Sequence, residues 1–242
     1  MAVAVLREAT GRVDPLPHVL PSRAATLGPG QRVAFWSLSA GVGTSTTAAL
    51  LAHRSSAGGR PAVLFDLDRW APSLALRAGI EAATIGDALL RPGRESELLS
   101  RWAATPFLPG TPSLHACFDA ARVIDLVDRV AAGRPSILDL GSGADAIDSA
   151  VLARCDRLCV CVGSRAAQLQ AAFSAVSLLR HLPNRTHAVI VGATDEDGRR
   201  IAGRLPWPLA ATIPVDEYLA RDEFACRAPT LRAVDALIRA LA

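Results

Sequence analysis

The chain is poor in the features that mark most functional classes. Its five cysteines, Cys117, Cys155, Cys159, Cys161 and Cys226, show neither the paired spacing of a zinc site nor the density of a secreted disulfide scaffold, so a reducing cytoplasm is the expected home. No apolar stretch reaches the length of about 18 residues that a membrane span needs. The opening "MAVAVLREATGR" is too short an apolar run for a signal peptide, and Arg7 and Glu8 interrupt it. Basic residues are scattered without a dense block and the net charge is only +3, which gives no case for a dedicated nucleic-acid or membrane binder. His18, His53, His115, His181 and His187 lack metal-ligand spacing.

What is present is a large apolar fraction, 50% of 242 residues, enough for one globular domain with a full core. Residues 1–30 carry Pro15, Pro17, Pro21 and Pro29 with Gly28 and Gly30, which blocks regular structure and predicts a flexible tail or linker; the domain is expected over 31–242. Apolar runs then alternate with helical periods. Strands are expected at "RVAFWSL" (32–38), "AVLFDL" (62–67), "SILDL" (136–140), "RLCVCVG" (157–163), "HAVIVG" (187–192) and "LAATIPV" (209–215), with a weaker one around Phe107. Each is apolar almost throughout, as strands covered on both faces are. An α/β fold follows, with about seven strands in a mostly parallel sheet between two helical layers.

Helical stripes are expected at Val123, Ile124, Val127 and Val130, at Leu169, Ala172, Phe173, Val176 and Leu179, and at Leu231, Val234, Leu237, Ile238 and Leu241. The last reads as a core-packing helix, since its polar face has only Arg232, Asp235 and Arg239. Cys159 and Cys161 alternate onto one face of a strand and read as small buried hydrophobes. "DEDGRR" (195–200) and "DEYLARDE" (216–223) read as solvated faces or loops. Arg199, Arg200, Arg204, Arg221 and Arg227 are the residues from which a basic patch would be built, but neighbouring acids dilute it.

Chemistry concentrates in three places. "SAGVGTST" follows an apolar strand and precedes the helix-compatible "TTAALLAHR", the context of a loop whose amides and helix N-terminus surround phosphate oxygens. Gly41 and Gly43 supply the turn and Ser45 stands at the magnesium-ligand position, yet Thr44 occupies the place of the phosphate-binding lysine. A plain structural turn is the alternative. In "LFDLDRWAPSLAL", Asp66 and Asp68 end the next strand at the edge where ligands bind in open α/β sheets. They position magnesium or an attacking water, or one of them caps the following segment. "SILDLGSG" ends a third strand with Asp139 ahead of Gly141 and Gly143.

In their order, "SAGVGTSTTAALLA", "AVLFDLDRWAPSLALRAGI", "ILDLGSG" and "AATIPVDEYLARDEFACRAP" resemble the ParA/MinD family of deviant-Walker ATPases over residues 31–242. They are similar in particular to its CpaE/TadZ branch, associated with Tad/Flp pilus assembly, and to relatives described as septum-site-determining. Members of that branch often have a small residue and Ser-Thr in the loop, like Thr44-Ser45-Thr46, and an Ile-x-Asp-Ala-Leu signature like that in "RAGIEAATIGDALLRPGRESELL". The resemblance implies a three-layer P-loop NTPase-like fold and ATP with Mg²⁺ as ligands. It places Ser39, Ala40, Gly41, Val42, Gly43, Thr44, Ser45 and Thr46 around the phosphates, Ile213 and Pro214 at the adenine, Ser45, Asp66 and Asp139 at the metal, and Asp68 at the hydrolytic water.

Three departures set expectations for activity. The family's signature lysine, which reaches across a homodimer, aligns with Ser39; Thr44 replaces the loop lysine; and the base-reading asparagine is missing from "VGATDED". Loss of both charges argues against efficient hydrolysis unless an arginine such as Arg69 substitutes. The expected function is a degenerate ParA/MinD-like localisation or assembly factor, at a cell pole or septum, working through protein partners of a pilus, secretion or division apparatus. A working ATPase with a dimer switch and a structural module that binds nothing are the alternatives.

Overall fold

A computed structural model describes residues 26–57, 61–112, 114–116, 118–182, 185–220 and 225–242. Most of the expected tail, His18, Cys117 and Arg221 lie outside the described residues. The packed structure reaches back further than residue 31: Leu27 is buried in the core, and the Gly30 amide donates to the Gly133 carbonyl at 2.8 Å.

Strands β1 (Arg32–Ser37), β2 (Val63–Asp66), β3 (Ser100–Trp102), β4 (Thr105–Leu108), β5 (Ser136–Ser142), β6 (Arg157–Gly163), β7 (Thr186–Val191) and β8 (Leu209–Ile213) form one sheet. Their order is β3-β4-β2-β5-β1-β6-β7-β8. Every neighbouring pair is parallel except β3 with β4, a hairpin at the edge. β3 is the strand that raises the expected seven to eight. Its three residues, Ser-Arg-Trp, are too few and too polar for a pattern.

The helices are α1 (Thr44–Ala57), α2 (Leu74–Ala78), α3 (Ile85–Leu89), α4 (Ala120–Ala131), α5 (Ser149–Ala153), α6 (Ala166–Leu178), α7 (Asp195–Ala202), α8 (Glu217–Ala220) and α9 (Ala228–Leu241). Strand alternation sends residues to two cores. Ala34, Trp36, Phe65, Leu138 and Val160 meet Val123, Val127 and Val130 of α4 with Ala172 and Ala175 of α6. Val33, Phe35, Leu64, Ile137, Cys159 and Cys161 meet α1 and α9 on the other face. Burial pushes the Cys161 thiol up to about 12, so it stays an uncharged core group.

Two local expectations change. Phe173 points outward at 46% exposure, because Ala172, Ala175 and Leu179 carry the buried face of the α6 segment. Asp216 is buried rather than solvated: it accepts from the amides of Tyr218 (3.2 Å) and Arg227 (2.7 Å) and from the Thr230 hydroxyl (2.7 Å), fastening α8 to the start of α9. In the suggested basic patch, Arg200 pairs with Glu196 and Arg227 with Glu217.

Candidate functional site

The chain runs from β1 leftward to β2 across β5, and from β5 rightward to β6 across β1. The C-terminal end of β1 is therefore the point where strand order reverses, and a crevice opens there. It is a cavity of about 550 Å³. Its walls come from the β1–α1 loop, the residues after β2 and β5, the start of α6 and the residues after β7 and β8.

The loop is shaped by two glycines. Gly41 and Gly43 have φ of +71° and +100°, a region that side chains rarely adopt, so a non-glycine residue at either position is strained. A Cβ on Gly41 would meet nothing within 4 Å, whereas one on Gly43 would reach Val191 Cγ1 at 3.4 Å. The Gly43 carbonyl accepts from the Thr47 amide at 2.9 Å in the first turn of α1. The free amides and positive end of this 14-residue helix thus face the cavity.

Thr44 departs most from a phosphate-binding lysine. It is buried, and its hydroxyl donates at 2.9 Å to Ser37 Oγ, which donates in turn to the Ser39 carbonyl at 2.8 Å. Its polar atom is thus directed into the base of the loop. Gly41, Val42, Gly43, Thr44, Ser45 and Thr46 line the cavity, as do Ile213 and Pro214 on the far wall; Ser39 and Ala40 lie in the loop outside the lining.

The three aspartates divide. Asp139 is fully buried beneath the loop; its Oδ1 accepts from the Gly141 amide at 3.0 Å, while Oδ2 has no hydrogen-bond partner among the described residues. Burial is the main force raising its carboxyl to about 6, opposed by the neighbouring Ser45 hydroxyl and Arg77 charge. A buried carboxylate oxygen without a partner next to a serine hydroxyl is a donor set of oxygens that fits Mg²⁺. Asp66 lies opposite Asp139 in the register of β2 and β5 and is raised well above the usual range, first by burial and then by Asp139. Its Oδ1 accepts from the Asp68 amide at 3.3 Å and Oδ2 from the Leu74 amide at 3.1 Å, and it is outside the lining. Asp66 therefore caps α2, with both of its oxygens accepting amide hydrogen bonds. Asp68 caps the following turn and also lines the cavity. One oxygen accepts from the Trp70 and Ala71 amides at 2.9 and 3.0 Å, and the other approaches Gly141 so closely that a Cβ there would lie 2.3 Å from it. Its carboxylate lines the cavity.

Arg69 is not available to the loop. Its guanidinium donates to the Asp145 carbonyl and lies 4.4 Å from the centre of the Phe118 ring. The cavity takes its positive charge from Arg77 and Arg165, neither of which the motifs indicate. Arg77 Nη1 donates to Thr46 Oγ1 at 2.7 Å, joining α2 to the first turn of α1. A signal was there to be used: all 26 basic residues of the chain are arginine and none is lysine. A missing lysine in the loop is therefore one instance of a rule that holds for the whole chain.

The mostly parallel eight-stranded sheet with helices on both faces has counterparts of known structure. No protein-family model matches the chain, and no curated protein matches it in sequence. Among solved structures, the ParA family ATPase of Chlorobium tepidum is similar at 20% identity and a TM-score of 0.70, over 86% of this chain and 98% of that one. MinD in the MinC:MinD cell division complex of Aquifex aeolicus gives 16% and 0.71, over 87% and 95%. The septum site-determining protein MinD of Pyrococcus horikoshii, solved with Mg-ADP, gives 15% and 0.67, over 86% and 94%. The fold is that of the ParA and MinD ATPases. At such identities the likeness is one of architecture.

Proposed function

We propose that this chain is a member of the ParA/MinD family, of the CpaE/TadZ-like branch, that binds ATP with Mg²⁺ and hydrolyses it weakly or not at all. It acts as a localisation or assembly factor for a Tad/Flp pilus, a secretion system or a division site, at a cell pole or septum of the cytoplasm. The observation that carries the reading is the loop itself: a glycine cradle on a helix N-terminus is kept, while the residue at the lysine position is buried and bonded to Ser37.

Binding and turnover are separable on these grounds. Backbone amides and Ser45 hold the phosphates and the metal without a loop lysine, with Asp139 supporting the metal and Ile213 and Pro214 against the adenine. Hydrolysis needs charge stabilised in the transition state and a positioned water, where one lost contact is commonly worth roughly 3 kcal/mol. Asp68 is placed to orient that water, but one of its oxygens is engaged in a turn. A homodimer enclosing the nucleotide would meet Ser39 where the resemblance puts a lysine. The complex with MinC formed by one structural neighbour supports protein partners as the output.

Titration calorimetry with ATP and Mg²⁺, followed by phosphate-release measurements, tests the reading. Binding with little release is expected. No binding at millimolar nucleotide would leave a structural module, and steady turnover abolished by Asp68→Ala would establish a working ATPase.

A further inference from the structure

We propose that Arg77 supplies from α2 the cation that residue 44 does not, gripping the outer phosphates of a nucleoside di- or triphosphate. The inference rests on the nucleotide-binding reading above and adds to it a residue and a chemical preference.

Several observations converge on this side chain. Arg77 lines the cavity and is half-buried, and its guanidinium is tied by the 2.7 Å bond to Thr46 against the helix turn that carries Ser45. Its charge also acts on Asp139, the carboxylate under the loop. Arg165 also lines the cavity but is exposed at the start of α6. The helix that carries Arg77 is fixed at both ends. The Asp66 carboxylate accepts from the Leu74 amide at the first turn of α2, and Gly79, at φ +63°, ends the helix just beyond Arg77 and Ala78. The buried acid after β2 thus holds the helix that presents the arginine.

Guanidinium chemistry suits the task. Five fixed donors match phosphate oxygens in pairs, so Arg77 keeps its bond to Thr46 with one nitrogen while others turn toward a phosphate. A chain without any lysine has only arginine for this purpose. Because the charge comes from beside the loop rather than from within it, the contact favours ligands with phosphates beyond the first. ATP and ADP, but not AMP, are the preferred class.

The experiment is calorimetry of ATP, ADP and AMP, with Mg²⁺, on the full chain and on Arg77→Gln, Arg77→Lys and Arg77→Gln/Thr44→Lys. Wild type binds ATP and ADP more tightly than AMP. Arg77→Gln loses roughly 10- to 100-fold for ATP and ADP, the range for a hydrogen bond to a charged group, with AMP unchanged within about twofold. Arg77→Lys, which keeps the charge but not the paired donors, binds ATP and ADP between wild type and Arg77→Gln, and Thr44→Lys restores affinity in the Arg77→Gln background. Wild-type affinity in Arg77→Gln, or equal losses for AMP and ATP, overturns the assignment and leaves the nucleotide reading standing. No nucleotide binding by wild type overturns both. Should Arg77→Gln fail to fold, Arg77→Lys decides: a loss for AMP as large as that for ATP, with an unchanged thermal transition, contradicts the proposal.

Discussion

The two ends of α1 are built from similar residues and do opposite things. At its N-terminus, Thr44, Ser45, Thr46 and Thr47 meet two glycines of positive φ, a buried carboxylate with one oxygen unpartnered among the described residues and an arginine from another helix. At its C-terminus, His53 packs edge-on to Trp102 with ring centres 4.7 Å apart and shares a 2.8 Å bond with Thr105. Ser55 donates to the Leu51 carbonyl, and Arg54 makes a two-pronged ion pair with Asp235 of α9 at 2.6 and 2.8 Å. One end stores uncompensated polarity where a ligand would sit; the other uses its polar side chains to fasten the helix to the edge hairpin and to α9. The proposed ligand contacts and the stabilising ones are therefore divided along 14 residues.

That division can be broken from either side. The largest effect belongs to the stable end. Arg54 and Asp235 are only 10% and 15% exposed, so Asp235→Ala leaves a charge poorly solvated and costs roughly 3 kcal/mol in denaturant unfolding, with nucleotide affinity unchanged. Comparable weakening upon acidification comes from His53, whose imidazole is pushed down to about 4 by burial. The unfolded chain takes up a proton near the ordinary 6.5 and the folded one does not. Stability is thus full above 6.5 and falls as pH drops toward 4, by up to roughly 3 kcal/mol. His53→Gln should flatten that part of the unfolding-versus-pH curve.

At the ligand end the signs reverse. Asp139 carries its charge at pH 7 at an energetic cost, since its folded carboxyl titrates near 6 rather than 3.8. Asp139→Asn should raise the melting stability of the free protein by roughly 1–3 kcal/mol while weakening Mg²⁺-dependent ATP binding. Smallest in stability is Ser45→Ala, within about 0.5 kcal/mol of wild type by thermal unfolding, although it should lower the Mg²⁺ dependence of ATP binding roughly tenfold. A mutation at Ser45 that unfolds the protein would show the two ends to be less independent than drawn.

Much of this was legible in order and period. Six strands were readable because both sheet faces are covered, leaving runs with hardly a polar residue, and the loop because Gly41 and Gly43 sit between strand and helix. β3 was hidden because an edge strand of three residues has no repeat to detect. Phe173 was misplaced because alanines, at Ala172 and Ala175, define the buried face of α6 and carry little signal by size. Arg77 was missed because its helix is five residues long and its partner, Thr46, lies 31 positions away. Arg69, next to an aspartate in the sequence, drew attention that the tertiary contacts assign elsewhere.

By itself the sequence determined the α/β class, the parallel core, the glycine turn between β1 and α1 and the absence of lysine, since each depends on residue type or on spacing along one element. Only the tertiary structure decided which charges share the cavity, which aspartate caps and which stays unpartnered, and where Thr44 directs its hydroxyl. Those are distances between elements far apart in the chain. Crossover of β1, β5 and β6 sets them, and local preference has no hold on it.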